Sequence, residues 1–588
     1  MTAMALRFPR FTRTSSVLLG VVLVLAVVVA LFDWNWFRRP LERHLSDRSN
    51  REVRIGDLHV EVGFALEPTV RLRELYVENA RWAGKQPTIT AAEASVTFSL
   101  KSVWEGRPVI SRLVLVDADV DLERQADGRR NWRLRSPEYL GPGRVKVLRL
   151  EPIRTKIRFV HRGIDLDVVA AASAAEDASH PARIAFDGKF DGVQFSGKVL
   201  TGGTLTFVDT EESFALRGHA SAGASRLDAD GSIADLFKPS AIEAKVRLAG
   251  PSLSTLRPFF RPSLPATRPY ALASNLLLAK EVYSFTELRG KIGNSDLAGK
   301  FSVDRSKERL MLRATLRSES AELSDFRPSA GAGAAAGGTP GTPQRLFSGI
   351  AFNGERLNAF DAHVTLDAMK LHSPDAPALE SLRVTVDLNN GVLALKPIDI
   401  GLAGGHLAGL ATFDATRNPS GSHVKMDLRD LRLEKLLEGL PQGAKAGGPV
   451  SGRFEMKGQG DSVASIAGSS SGQAQLTMQG GDISNLLDAK LALNGGKILR
   501  LMFTGDGDIG INSAAVSFDF EKGLGKSTAI VLDTEQTRTE GAGTLDLRNE
   551  TFDVLLTPHP KKPGVFPLGT AIRAHGPLRE PAFSLVGK

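Results

Sequence analysis

The chain has 588 residues, is 42% hydrophobic, and carries 74 basic against 66 acidic residues for a net charge of +8. It has no cysteine, which excludes thiol catalysis, thiolate metal sites and disulfides together. The charges are interspersed and aromatics make up only 6% of the residues, which argues against the basic stripe with interleaved stacking rings that binds nucleic acid.

The first predicted element is an uncharged run over residues 14–32. Val17, Leu18, Leu19, Val21, Val22, Leu23, Val24 and Leu25 form its centre, and Trp34 and Trp36 follow where interfacial aromatics sit. Because ~20 apolar residues at ~1.5 Å rise cross a ~30 Å hydrocarbon core, the run predicts a transmembrane helix over 14–36 after a cytoplasmic tail at 1–13. The alternative is a cleaved signal peptide, with Arg7, Arg10 and Arg13 as its basic segment and Val28-Val29-Ala30 as a small-residue cleavage site. The run exceeds the ~15-residue limit of such apolar segments, which favours the uncleaved anchor. Arg38, Arg39, Arg43, Arg48, Arg51 and Arg54 lie beyond it, so the arginine count does not set orientation. Long domains translocate largely regardless of charge, and the reading adopted places the bulk of the chain outside the cytoplasm.

Helical spacing beyond the anchor is brief, at 40–47, 100–104 and 431–440. The dominant pattern is period-two alternation, the mark of strands with one apolar and one wet face. Val114, Val116, Ala118, Val120 and Leu122 alternate with Asp117, Asp119, Asp121 and Glu123. Ile242 to Leu248, Val364 with Leu366, Leu382 to Leu388, and Val424 to Leu428 repeat the arrangement. Asn389-Asn390-Gly391, Asp127-Gly128, Asp230-Gly231 and Asn494-Gly495 supply turn residues that tolerate positive φ. The small-residue and proline stretch at 328–345 reads as a linker between a region at 37–327 and another at 346–588. Residues 458–472 form a lesser break. Segments at 297–304, 407–414 and 541–547 share a small-Gly opening and an alternating strand, at separations too unequal for a fixed-period solenoid.

Fragments that imitate catalytic motifs lack the required surroundings. Residues 505–510 spell the dinucleotide fingerprint, but an alternating strand follows where a helix is needed. Gly525-Lys526-Ser527 lacks the first glycine of a phosphate loop, since Phe520 stands there. Residues 468–472 match a nucleophile elbow by letter only, within low-complexity sequence. The histidines are scattered, without zinc-ligand spacing. Asp117, Asp119 and Asp121 alternate along one strand and read as a solvated face, with calcium as the sharper alternative. What the chain supplies in abundance is apolar surface at alternate positions. A sandwich of two mutually covering sheets explains it, as does an uncovered face that shelters acyl chains.

Several blocks together decide between these. Phe32-Asp33-Trp34-Asn35-Trp36, Arg38 with Pro40, Leu41 and Glu42, Arg51-Glu52-Val53, residues 110–122, and Asp127-Gly128 with Asn131-Trp132 resemble the AsmA family of bacterial envelope proteins. So do Leu357-Asn358-Ala359-Phe360-Asp361, Gly391-Val392-Leu393, and residues 401–409, 480–487 and 532–547. The resemblance implies a single-pass protein of the bacterial inner membrane whose bulk is periplasmic. It implies a mainly β fold, a transmembrane helix followed by a long, curved, largely antiparallel sheet with a few short helices, forming a hydrophobic groove like that of chorein-type bridge-like lipid carriers. It implies no enzyme activity and no cofactor. The expected partners are phospholipids and the inner membrane, with outer-membrane or assembly proteins as further partners and no nucleic acid. The expected role is lipid transport in outer-membrane biogenesis. The alternative is a scaffold or regulator of outer-membrane protein assembly and targeting to the membrane. Val114, Val116, Val120, Leu122, Val384, Val386, Leu388, Val424, Met426 and Leu428 are then the expected lipid-facing residues.

Overall fold

The computed structural model describes residues 33–62, 67–98, 109–132, 146–147, 150–177, 179–202, 213–234, 241–257, 264–326, 346–352, 354–373, 379–437, 446–484, 508–561, 571–578 and 582–586. The apolar run at 14–32, the stretches at 100–104 and 328–345, and Asn494-Gly495 lie outside them. Among the described residues no helix is long and apolar enough to cross a membrane. The chain forms two compact units, Met1–Arg247 and Leu248–Lys588.

The first unit opens on a 3-10 turn, Trp34–Phe37, begun when the Asp33 carboxylate accepts from the Asn35 amide at 3.1 Å. Helix α1 (Arg38–Ser49) covers the expected 40–47 stretch and stops at Asn50, whose φ of 54° leaves the helical region. Glu42 accepts from the Ile55 amide at 2.7 Å and the Asn35 side chain from the Leu58 amide at 3.0 Å, which pins this segment to the strands that follow.

Strands β1 (Asp57–Val62), β2 (Pro68–Val77), β3 (Ile89–Phe98) and β4 (Val109–Arg124) pair antiparallel in chain order. A crossover then sets β5 (Thr155–His161) parallel to β4. Antiparallel pairing resumes through β6 (Leu166–Asp177), β7 (His180–Phe190), β8 (Val193–Thr201), β9 (Phe214–Ala222) and β10 (Ser225–Ala234). Next in the chain is β11 (Ala241–Gly250), which reaches the boundary of the unit.

In the second unit β12 (Tyr270–Ala279), β13 (Val282–Ile292), β14 (Ser295–Asp304) and β15 (Leu310–Ser318) form an antiparallel meander. β16 (Phe360–Ala368) is parallel to β15, so the strands before and after the 328–345 stretch pair directly. The meander continues with β17 (Leu379–Asn389), β18 (Val392–Leu402), β19 (Gly405–Asp414), β20 (Gly421–Arg432), β21 (Pro449–Gln459) and β22 (Ser471–Gln479). It ends with β23 (Asp508–Glu521), β24 (Leu524–Thr534), β25 (Thr537–Asp546), β26 (Thr551–Pro560), β27 (Ile572–Pro577) and β28 (Ala582–Leu585). The 431–440 spacing is realised as a short helix, Leu433–Leu437, and the 458–472 break as helix Val463–Ser469, capped reciprocally by Ser462 and Ser465. Asn390 and Gly391, with φ of 47° and 78°, make the expected two-residue turn. Asp230-Gly231 does not turn. It lies inside β10, where a Cβ on Gly231 would sit 2.1 Å from the Glu243 carbonyl oxygen, so the glycine serves close strand approach.

Register decides what these strands present, because partners across a ladder share a face while successive residues alternate. One row of partners runs Leu276, Phe285, Phe301, Ala314, Val364, Val386, Leu395, Ala411, Val424, Met456, Gly472, Phe520, Gly525, Leu545, Phe552, Gly576. It crosses from β12 to β27 without meeting a polar side chain. In the first unit Leu122, Phe159, Val168, Gly188, Phe195 and Ala222 form the corresponding row.

One sequence expectation fails on this test. Val114 and Val116 partner Ser95 and Glu93 and do not share the face of Val120 and Leu122. The alternation slips across three neighbouring strands. Leu72 with Leu75, Ala91 with Ala94, and Leu115 with Ala118 enter one apolar cluster although each pair is three residues apart. Glu74, Asp117 and Arg154, with φ of 51°, 47° and 49°, mark the line of the slip. Leu113 and Leu115 take the apolar places upstream of it, a re-phasing invisible in an unbroken alternating string.

Two outcomes follow for stability. Leu115→Asp, which buries a carboxylate where Leu115 is 8% exposed, should lower the unfolding free energy of the first unit by about 3 kcal/mol or more, whereas Val114→Asp should cost under about 1 kcal/mol. Equal urea midpoints for the two would contradict the face assignment. Asp361 ties β16 to its neighbours by accepting from Arg309 at 3.0 Å and from the Asn390 amide at 2.9 Å, and these bonds hold its carboxyl below the usual range. A lowered folded pKa gives stability that is present above the ordinary value and lost as pH falls through the folded one. Asp361→Ala should therefore cost about 1 kcal/mol at neutral pH, with the gap to wild type closing below about pH 4; a gap independent of pH would contradict this.

Candidate functional site

The apolar face is the feature from which function can be argued. Among the residues expected on it, Val120, Leu388 and Met426 are buried, at 7%, 4% and 5% exposure, while Leu122, Val384, Val386, Val424 and Leu428 are half-buried. Val114 and Val116 lie on the reverse face, also half-buried. Trp34 is half-buried and packs 6.3 Å from Phe37, Trp36 is exposed, and Val17 to Leu25 lie outside the described residues. Sequence reading passed over the largest contributors to the face. Phe285 and Phe301 stack at 4.2 Å, Phe413, Phe454, Phe518 and Phe520 stand on later strands, and Leu476 remains 42% exposed. The same period-two count that picked out Val424 would have found them.

A second sheet packed ~10 Å away would bury mid-strand residues completely. In the second unit Val364, Leu366, Val384, Val386 and Leu395 all keep partial exposure. The buried clusters lie instead along one rim of the strands: Leu256 with Tyr270 and Ile292, Ala321 with Ala368 and Leu371, and Met478 with Ile483, Ile509 and Ile511. Along the other rim runs the segment 346–352. The Glu550 carboxylate accepts from the Leu346 and Phe347 amides, the Ser348 carbonyl from the Ala464 amide at 3.0 Å, and Phe352 packs edge-on to Phe413 at 5.1 Å. Both strand ends are thus tied down, while among the described residues most of the middle of the face stays uncovered, with Ile398 and Met426 buried between their neighbours. The first unit is tighter. Ile184 on β7 reaches the cluster built on β3 and β4, so side chains there meet across the face.

Glycines shape this surface. The third residues of the three similar segments, Gly299, Gly409 and Gly543, all lie on the apolar face. A Cβ on them would stand 2.1, 2.0 and 2.2 Å from the carbonyl oxygens of Thr315, Lys425 and Asp553 on the adjoining strand. Only glycine admits that approach, and glycine kinks are how a sheet is made to curve. The recurring small-Gly opening therefore has one structural meaning in all three places.

The reverse face is held wet by charge. Arg158 bonds Asp167 at 2.7 Å, Arg217 bonds Asp230 at 3.0 Å, His423 bonds Glu455 at 2.9 Å and Arg573 bonds Asp553 at 2.8 Å, each pair spanning adjacent strands. The hydrogen bonds from Arg158, His423 and Arg573 are the main cause that holds Asp167, Glu455 and Asp553 below the usual carboxylate range. The aspartates of β4 diverge. Asp117 is exposed and forks onto Arg154 at 2.6 Å, Asp119 is exposed, and Asp121 is buried, with burial pushing its carboxyl up. Gly525, Lys526 and Ser527 lie in β24, and residues 468–472 join helix Val463–Ser469 to β22. Among the described residues no group of three or more His, Cys, Asp or Glu is placed to hold a metal. The arrangement can solvate hydrocarbon on one side and water on the other.

The AsmA family profile matches residues 12–138 and 226–530. An AsmA family protein of Escherichia coli (strain K12), YhjG, is 22% identical over an alignment covering 96% of this chain and 91% of that protein. No solved structure matches. With most of its length matched and a long, largely antiparallel β fold in both units, the chain belongs to the AsmA family.

Proposed function

We propose that the chain is a non-enzymatic lipid carrier of the bacterial envelope, anchored in the inner membrane by residues 14–32, which binds phospholipid acyl chains on its apolar β face and supports lipid transport and outer-membrane biogenesis. The observation that carries this reading is the unbroken apolar row from Leu276 to Gly576, most of it half-exposed, with Ala314, Phe520 and Gly525 as its buried members, while both strand ends are tied down. Each methylene that leaves water for such a surface gains ~0.8 kcal/mol, so an acyl chain is retained there without any directional bond. The headgroup stays wet at the rim, where polar residues begin. Family membership and the uncharged N-terminal run are consistent with a position beside a donor membrane. A scaffold or regulator of outer-membrane protein assembly is the second reading. It would use the outer strands β1 and β28, each laddered to a neighbour on one side among the described residues, to add a partner strand.

A photocrosslinking residue at Val386 or Leu476 should yield phospholipid adducts in cells, and the same residue at Thr385 or Gln475, one step along the same strands on the wet face, should not. Adducts equally frequent on both faces, or protein adducts alone, would overturn the lipid reading in favour of the scaffold.

A further inference from the structure

The wet face of the first unit carries a feature that lipid burial does not use. Strands β7 to β11 enclose an open depression of about 960 Å³, within the range of small-molecule sites. Six basic side chains line it, Arg183, Lys198, Arg217, Arg226, Lys245 and Arg247, against Asp228 and Asp230. Register explains the gathering. Ala185 partners Lys198, Lys198 partners His219, and Arg217 partners Asp230, so residues far apart in the chain share one patch.

Ordinary solvated strand faces neutralise themselves, and this protein does so elsewhere, at Arg158 with Asp167, Arg383 with Asp367 and Arg573 with Asp553. In the depression Arg217 and Arg226 are matched by Asp230 and Asp228 at 3.0 and 2.8 Å. Arg183, Lys198, Lys245 and Arg247 have no carboxylate within 4.0 Å among the described residues. Of these four, Arg247 acts on Asp228, whose carboxyl is held below the usual range first by its bond to Arg226 and more weakly by Arg247. The floor is Ala185, Leu200, Gly218 and Ala229, and His219 is the one ring among the lining residues, with no Phe, Tyr or Trp to form the row of stacking platforms that single-stranded nucleic acid uses.

We propose that this depression is a binding site for a phosphate-bearing anion, with Arg183, Lys198, Lys245 and Arg247 as its ligands. A phosphate's oxygens suit the guanidinium fork and the ammonium point charge together. The group comes either from a phospholipid headgroup or from a soluble phosphorylated molecule. The inference stands on charge placement and is independent of the acyl-chain reading, because it uses the opposite face.

The test is calorimetric titration of the full chain, in a neutral detergent, with inorganic pyrophosphate. Saturable binding that weakens with added salt is expected, and Lys198→Gln with Arg247→Gln should weaken it about tenfold or more. Lys198→Arg should retain it, as should the control of equal charge loss on the second unit, Lys522→Gln with Lys526→Gln. Should the first double variant fail to fold, Arg183→Gln with Lys245→Gln gives the same reading. Displacement of pyrophosphate by vesicles containing phosphatidylglycerol, and not by phosphatidylcholine alone, assigns the source to a headgroup; displacement by glycerol phosphate only assigns it to a soluble molecule. Absence of saturable binding, or equal weakening by the control variant, would overturn the proposal.

Discussion

Everything in this protein depends on the register of its β ladders. Hydrogen bonding between strands is indifferent to side chains, yet a slip by one residue would exchange the two faces of every strand beyond it. From β12 to β27 no such exchange accumulates. Where a ladder is irregular, as between Phe285 and Leu288 or Leu395 and Ile398, the extra residue re-phases its own strand alone, the neighbours keep their alternation, and the apolar face resumes. Bulges here preserve the separation of oily and wet surface over a long sequence of strands.

That separation would ordinarily be used to build a core. An isolated sheet that leaves an apolar face in water is penalised, and proteins cover such faces with a second layer. Among the described residues of the second unit the cover is confined to the rims, and lateral contact replaces it in the middle. The Phe186 ring lies over Gly197, the Phe520 ring over Gly525, and Met426 against Gly409, so large side chains fill the spaces that glycines leave on neighbouring strands. The face is ordered without being closed. On the other side, cross-strand ion pairs discourage the same surface from finding another sheet, since exposed pairs contribute little stability but make association costly.

Much of this was readable from residues alone. Alternation at Leu382 to Leu388 and Val424 to Leu428 located strands and their apolar sides, and Asn390-Gly391 located a turn, because both signals are local. The failures arise where geometry is not local. Asp117 is an ordinary residue in the string, and only its positive φ, shared in line with Glu74 and Arg154, moves Val114 and Val116 to the wet face. Gly231 looks like a turn residue until the carbonyl of Glu243 is seen beside it. The cations of β7 to β11 read as interspersed charge, since Arg183 and Arg247 meet only through the ladders between them. The similar segments around Gly299, Gly409 and Gly543 were visible as repeats, although their common role needed the adjoining strand.

The central claim is that the apolar face of the second unit is an occupied lipid surface and not an exposed core. Native mass spectrometry of the full chain, released gently from a neutral detergent, measures this most directly. The account predicts several bound phospholipids per chain, with occupancy falling sharply when Val386, Val424 and Leu476 are replaced by arginine and unchanged when Thr385, His423 and Gln475 are. A lipid-free chain, or lipid that persists regardless of the face substituted, would contradict it.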